Sequence, residues 1–461
     1  MEHMTVKEIL EATGGRLLQG SPDTPVRQLV IDSRKTEPGD LFVPFRGENT
    51  DGHRFIPMAC EKGAAACLTE EEGITAPEGR ALIYVENTRS ALQAVGAYCR
   101  KRLTLPVIGV TGSVGKTSTR EMIGTALSAR YRVFQTHGNY NGQLGLPIML
   151  SQIGPEDEAA VLEMGMSLPG EMAVIARMAA VNMAVFTNIG VSHIENLGSR
   201  DRICQEKLHI TDGMPENGLL ILNGDDDMLR RYGTELPFRK VWYGTGEGCD
   251  YQALDVHMEE NQAAFSILCQ GRTMPVRLHV PGIHNVKNCL AAVAAACEMG
   301  IPMEEAVKAL EGFHGFTRRL EMKETPEGIH LIDDTYNASP DSMKAALQVL
   351  NAMNCGGRKI AVLADMLELG ENSPLFHYQT GVYGGSLHID AFYIIGDRAR
   401  EIGRGVEETS PGASVCYWSD NRKAAEALAA EAGPGDLILL KGSNGMKLNE
   451  IVAFLMKEEK K

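Results

Sequence analysis

A chain of 461 residues, 44% hydrophobic with a net charge of −15, is too long for one ordinary domain and apolar enough to bury large cores, so about three domains are expected. The acid excess excludes a general nucleic-acid binder, which presents a basic face, but not a nucleotide site, where phosphates are met locally. Ten cysteines are scattered without a Cys-x-x-Cys pair, and neither a zinc cluster nor a disulfide framework is indicated. The first residues lack a signal-peptide pattern, and no run of about 18 apolar residues predicts a membrane span. The expectation is a cytoplasmic protein.

In chain order, residues 1 to 98 mix short strands and helices and hold Ile31-Asp32-Ser33-Arg34 and Gly47-Glu48-Asn49-Thr50-Asp51-Gly52-His53. From 99 to 314 strands and helices alternate, as a mostly parallel α/β sheet requires. The β-branched run 105–110 predicts a buried strand, and the residues after Arg120 repeat apolar side chains at helical spacing. Between them lies Thr111-Gly112-Ser113-Val114-Gly115-Lys116-Thr117-Ser118. A glycine turn, lysine and hydroxyl at a strand-to-helix junction cradle nucleotide phosphates through backbone N–H groups, and the Thr117 hydroxyl can reach Mg²⁺. It is a variant of the strict spacing, with Val110 where glycine is usual and Gly109 one residue earlier. Further strands are expected at 159–163, 183–187 and 218–222, a period-two antiparallel extension between 240 and 280, and an alanine-rich helix from Asn285 to Met299. From 315 to 461 a second α/β series follows, with strands at 329–333, 359–363, 391–395 and 436–440.

Several polar residues stand at strand exits. Glu163 ends an apolar run, where a carboxylate suits Mg²⁺ or caps a helix. His193 follows Thr187-Asn188-Ile189-Gly190 and reads as a ligand or as a structural hydrogen-bonding residue. Lys207 alone reads as a solvated helix charge. Asn285 and Asn288, three apart at a helix start, point one way, with capping explaining one of them. Asp333-Asp334-Thr335-Tyr336-Asn337 leads into a helix, as turn formers or as a site. Lys441 and Lys447 flank a glycine turn that suits an anion or is a solvated loop.

Together these segments resemble the Mur ligases, the ATP-dependent amide-forming enzymes of peptidoglycan precursor synthesis, over nearly the whole chain and in the family's order. The phosphate loop, Thr187-Asn188-Ile189…His193, Gly282-x-His284-Asn285-x-x-Asn288 and Arg319-Leu320-Glu321 carry the likeness. Asp333 to Met343, Leu363 to Gly370 and Lys441 to Lys447 are most similar to the branch that adds D-alanyl-D-alanine to UDP-MurNAc-tripeptide. The Asp-Tyr-Ala-His-x-Pro and Asp-Asn-Pro-Arg motifs of the tripeptide-forming branch are not found. Mild departures are Ser339, Ala364 and Tyr140-Asn141-Gly142-Gln143.

The resemblance implies three domains: a UDP-sugar-binding one at 1–98, a central P-loop one at 99–314 and a Rossmann-like C-terminal one at 315–461 for the incoming dipeptide. It implies that Lys116 binds the β/γ-phosphates of ATP and that Thr117 with Glu163 holds one Mg²⁺. His193 and a carbamoylated Lys207 would serve a second Mg²⁺. Asn285 and Asn288 would flank adenine or ribose, Asp334 would reach the ribose, and Arg319 the γ-phosphate. Ser33, Arg34, Asp51, Gly52 and His53 would contact the UDP-sugar, and Tyr336 and Asn337 the other substrate. A monomer without nucleic-acid or membrane partners is expected. The alternatives are the tripeptide-forming ligase, a folylpolyglutamate-type ligase, or a non-catalytic ATP-binding switch.

Overall fold

The computed structural model describes residues 4–47, 50–259 and 262–457. Glu48 and Asn49 of the 47–53 segment, and the first three residues, lie outside them. Three large sheets organise the chain. The first orders Arg16–Gln19, Ala81–Tyr84, Ala66–Thr69, Leu41–Phe42 and Leu29–Val30, parallel apart from the first pair. Helix Thr88–Arg102 leaves it and spans the seam expected near residue 98.

The second sheet runs Val133–Gln135, Ala159–Glu163, Val107–Thr111, Met183–Phe186, Leu219–Asn223, Arg239–Gly244 and Tyr251–Glu259, all parallel. Gln262–Cys269 and Arg272–Leu278 then extend it antiparallel. Its inner strands are apolar without alternation because helices cover both faces. The chain leaves Val107–Thr111 first toward one side and later returns to the other. The C-terminal ends of Val107–Thr111, Ala159–Glu163 and Met183–Phe186 therefore open side by side at a topological switch point, where ligands of such sheets bind. Helix Ile283–Glu298 packs its fully buried run Ala291–Ala296 beside the P-loop helix Lys116–Leu127.

The third sheet orders Glu321–Glu324, His330–Asp334, Leu437–Lys441, Lys359–Ala364, Ala391–Ile395 and Ser414–Trp418. Only its first pair is antiparallel. The strands expected to end at Asp333 and Leu440 run one residue further, because Asp334 and Lys441 enter the sheet as register partners. Their opposite charges satisfy one another there, so polarity does not end the ladder.

Apolar packing divides the molecule unevenly. One core runs without a break from Val6 and Leu41 in the N-terminal part, through Leu92 and Val95 of helix Thr88–Arg102, to Leu162 and Phe186 under the central sheet. The C-terminal part buries its own two cores, one on each face of its sheet. In that part helices Ser373–Gly385 and Arg400–Thr409 cross closely. A Cβ on Gly381 would lie 2.0 Å from the Ile402 carbonyl oxygen, and one on Gly405 2.4 Å from that of Tyr378. Backbone cannot swing aside as a side chain can, so Gly381→Ala is expected to destabilise the C-terminal part by about 2 kcal/mol or more. Denaturant melts of the full chain read this as a lowered midpoint of one transition.

Candidate active site

The phosphate loop owes its shape to the neighbouring strand end. Ser113 N–H donates to the Asn188 carbonyl and Val114 N–H to Asn188 Oδ1 (2.8 Å). Thr187 Oγ1 donates to the Val114 carbonyl, and Gly190 N–H to Ser113 Oγ. Gly112, at φ +150°, passes so close to Thr187 that a Cβ would meet its Oγ1 at 1.8 Å, and Gly115 opens the helix at φ +84°. Only glycine fits the first position. Lys116 folds back with Nζ 2.8 Å from the Gly112 carbonyl. The desolvating walls of the cleft push its ammonium down, Glu163 opposing this and Arg319 adding to it.

Glu163 is buried, and both carboxylate oxygens are engaged: Thr117 Oγ1 donates to Oε2 (2.8 Å) and Asn141 Nδ2 to Oε1 (2.7 Å). It ends a strand and caps no helix. Thr117 and Glu163 thus offer hard oxygens side by side, the donor set that Mg²⁺ takes. Lys207 is 1% exposed, which corrects its reading as a solvated charge. Its ammonium has no hydrogen bond or ion pair among the described residues, and burial, then Lys116, drives its pKa well below the usual range. It lies beneath the cleft and does not line it. His193 does line it, at φ +63°, with Nδ1 2.9 Å from a Glu368 carboxylate oxygen of the C-terminal part, at an angle that makes no hydrogen bond.

The cleft has a volume of about 840 Å³ and two walls, one from each of the last two sheets. Lys116, Thr117, Glu163, His193, Asn285 and Asn288 face it from the central part, and Arg319, Asp334, Tyr336 and Asn337 from the other side. No side chain caps helix Ile283–Glu298, against the capping expectation. Asn285 Nδ2 donates instead to the Pro281 carbonyl, while Asn288 Oδ1 accepts from Thr119 Oγ1 (2.9 Å) and its amide donates to Asn285. The two asparagines share a face, as their spacing requires, and tie this helix to the P-loop helix.

Arg319 sits between Arg318 at φ +60° and Leu320 at φ +52°, stacked 4.2 Å over the Tyr336 ring, with its buried Nε unpartnered. Asp334 Oδ2 accepts from Lys441 Nζ (2.5 Å), so of the two lysines read as an anion site Lys441 is buried in an ion pair, and Lys447 is exposed. Asn141, Asp225, Lys287 and Glu368 also line the cleft and were not singled out as site residues. Asn141 carried a signal, as part of a segment that departs from the family pattern.

Ser33, Arg34, Asp51, Gly52 and His53 do not line this cleft and gather on the first sheet's part. Ser33 is buried, and the Arg34 side chain is open to solvent and paired with Asp32. His53 is buried with both ring nitrogens used: Nδ1 faces Asp51 Oδ1 at 2.6 Å and Nε2 accepts from Glu70 N–H (3.0 Å).

Three family models match the chain in succession: the Mur ligase family catalytic domain at residues 25–106, the Mur ligase middle domain at 110–296 and the Mur ligase glutamate ligase domain at 318–444. The UDP-N-acetylmuramoyl-tripeptide–D-alanyl-D-alanine ligase of Bacillus subtilis is 40% identical over 453 residues, 98% of each chain. The chain belongs to the Mur ligase family. Among solved structures, a MurF from Acinetobacter baumannii superposes with a TM-score of 0.89 at 31% identity, covering 99% of this chain and all of that one. A MurF ligase from Thermotoga maritima in complex with ADP gives 0.83 at 29% identity, covering 94% and 98%. This Mur ligase is an ATP-dependent enzyme of mixed α/β architecture, and the nucleotide-switch alternative falls with that.

The buried, unpartnered Nε of Arg319 stands on the cleft wall opposite Lys116 and the glycine-rich loop. Arg319→Ala is therefore expected to lower the catalytic rate by about 100-fold or more while changing ATP affinity less than about fivefold. Single-turnover ADP release and equilibrium ATP titration measure the two separately.

Proposed function

We propose that this Mur ligase joins D-alanyl-D-alanine to the terminal carboxylate of UDP-MurNAc-tripeptide through an acyl phosphate. The observation that carries the reading is the convergence, on one cleft, of the phosphate loop with Glu163 from one wall and Arg319 with Asp334 to Ser342 from the other. The second set comes from the segment most similar to the dipeptide-adding branch.

The backbone of Thr111 to Ser118 wraps the phosphates, Lys116 sets a charge against the β/γ-oxygens, and Arg319 meets the γ-phosphate as the tripeptide carboxylate attacks it. In-line geometry and neutralised charge lower this barrier, since phosphoryl transfer asks little covalent chemistry of the protein. The dipeptide amine then displaces phosphate from the acyl phosphate. Asn285 and Asn288 flank the base or ribose. Asp334 keeps Oδ1 for the ribose while Oδ2 holds Lys441. Tyr336 stacks on Arg319 and, with Asn337, borders the second substrate.

The adjacent oxygens of Thr117 and Glu163 would hold Mg²⁺, which would supply positive charge against the phosphate oxygens. His193 and Lys207 would hold a second Mg²⁺ once Lys207 is a carbamate. Burial makes its unpaired ammonium give up a proton more readily, the neutral amine is the form that reacts with CO₂, and the product replaces a repelling cation by oxygen donors. Residues 1–98 serve as the UDP-sugar domain, through Ser33, Arg34, Asp51 and Gly52, with His53 bracing Asp51. Residues 99–314 bind ATP and 315–461 the dipeptide. The enzyme works as a monomer, and no helix among the described residues is long and apolar enough to cross a membrane.

In the deciding assay, ADP release in the presence of UDP-MurNAc-tripeptide is expected with D-Ala-D-Ala and not with free L-lysine or diaminopimelate. The opposite preference moves the chain to the tripeptide-forming branch. For Lys207, ¹³C-bicarbonate is expected to give a carbamate ¹³C resonance that Lys207→Ala and Lys207→Arg lack. Acetate or formate partly restores Lys207→Ala and does not restore Lys207→Arg, whose guanidinium fills the space and keeps the charge. Near-parental activity in Lys207→Arg removes the carbamate from the reading.

A further inference from the structure

The incoming dipeptide brings an ammonium into a cleft that already holds Lys116 and Arg319. Reaching the reacting carbonyl against those charges requires a carboxylate that is free to receive it. Most carboxylates on the walls are already bonded. Glu163 accepts from Thr117 and Asn141, and Glu171 from the N–H groups of Ser167 and Leu168. Asp225 accepts from Thr245 and pairs with Lys287, Asp226 accepts from the N–H groups of Ile189 and Leu229, and Asp334 pairs with Lys441. Asp341 and Glu368 accept no hydrogen bond from the described residues, and the one charged contact of Glu368, His193 Nδ1 at 2.9 Å, is an imidazole that an incoming ammonium can replace. Asp341 lies in the first turn of helix Pro340–Ala352, whose dipole already favours its charge, and its carboxylate is pressed against Gly190.

Glu368 differs. Its side chain is 63% exposed within the cleft, and its neighbour on the protein is His193. The backbone beneath it is rigidly built. Asp365 Oδ1 accepts from Ala399 N–H, and Met366 N–H donates to Nε2 of the buried His377, whose Nδ1 in turn bonds the Ser373 carbonyl. Leu367 N–H donates to Oγ of the buried Ser443, and Ser443 N–H returns to the Asp365 carbonyl. A residue held at φ +63° by such surroundings leaves the backbone in one direction, and bulky residues keep that conformation only where the scaffold imposes it. Beside it Leu367 exposes an apolar side chain on the same wall, 37% open. A carboxylate carried on a fixed backbone position next to an exposed apolar group is complementary to an α-ammonium next to a methyl.

We propose that Glu368 anchors the ammonium of the incoming dipeptide, with Leu367 against its first methyl group, so that this pair sets which amine is accepted. The assignment rests on the dipeptide-ligase reading given above. In the initial complex the ammonium sits at the Glu368 carboxylate on the His193 side of the cleft, and the bond made there is a charge-assisted hydrogen bond.

The test pairs a charge change on the protein with a charge change on the ligand. D-Ala-D-Ala is assayed as substrate, and D-lactoyl-D-alanine, the amide analogue with a hydroxyl in place of the α-amine, as competitive inhibitor, against the parent, Glu368→Gln, Glu368→Asp and Asp341→Asn. Glu368→Gln is expected to raise KM for D-Ala-D-Ala by roughly 10- to 100-fold, the span of one charge-assisted hydrogen bond. The inhibition constant of the hydroxyl analogue and the KM for ATP stay within about threefold. Glu368→Asp recovers part of the loss.

Equal losses for both ligands overturn the proposal, because a merely structural contact with His193 moves both alike. An unchanged KM in Glu368→Gln overturns it as well, and a selective loss confined to Asp341→Asn transfers the role to Asp341. A parent enzyme that turns over another amine and not D-Ala-D-Ala overturns the substrate reading, and this assignment with it. A parent that uses D-Ala-D-Ala while the Glu368 variants match it overturns this assignment alone.

Discussion

The cradle for phosphate cannot stand by itself. Residues 111–118 take their shape because Thr187, Asn188 and Gly190, at the end of the next strand, hold the carbonyl of Val114, the N–H groups of Ser113 and Val114, and the Ser113 hydroxyl. Gly112 passes Thr187 at a distance that admits no side chain. The same segment leads within three residues to His193, and Gly190 faces Asp341 of the C-terminal part. The glycine-rich loop is therefore continuous, through one strand exit, with the segment that faces the C-terminal wall. Whatever shapes that loop also sets where His193 stands.

Packing decides which joint of the molecule can give. The N-terminal and central parts share one uninterrupted apolar core, so separating them exposes hydrocarbon at about 25 cal/mol per Å². The C-terminal part keeps its own cores and meets the central part through a small apolar patch, where Val349 lies against Gly282, and across the cleft through polar groups such as His193 and Glu368. Such a contact exchanges protein partners for water at little net cost, because exposed ion pairs are worth about 1 kcal/mol or less. Opening and closing are thus expected at the Arg319 junction, where Arg318 and Leu320 already occupy left-handed backbone. Arg318 also bonds Thr335 through its guanidinium, which carries any rotation of that junction into the segment that begins with Asp334.

Much of this was legible in the sequence because buried parallel strands are written as continuous apolar runs. Ala159–Glu163 and Ala391–Ile395 fall where their runs predict. The strands ending at Asp334 and Lys441 run one residue past their expected ends, since a run of hydrophobic letters cannot show that two opposite charges will be register partners 107 residues apart. The phosphate loop was legible because its chemistry is local. Glu163 was ambiguous because its partners Thr117 and Asn141 lie 46 and 22 positions away. Lys207 read as solvated for the same reason: a helix of low amphipathicity gives no sign of which face the fold covers. Asn285 misled in another way, since a polar residue in the first turn invites a capping reading, whereas here a glycine opens the helix and the amide reaches back to Pro281.

The two walls also divide the work by the kind of order each needs. The phosphate wall is built from backbone, in which glycine geometry and strand-to-strand hydrogen bonds fix donor positions and a single methyl group is intolerable. The opposing wall is built from side chains on strand exits over an independent core, and there Leu367, Glu368 and Asn444 stand open at the ends of well-packed strands. Exchanging one of those side chains alters neither a core nor a ladder. Surface changes of that kind cost within about 0.5 kcal/mol of stability, whereas the cradle allows no comparable freedom. A fold so divided can keep one way of activating a carboxylate while varying the amine that receives it, and the physical reason is that the two tasks draw on different cores.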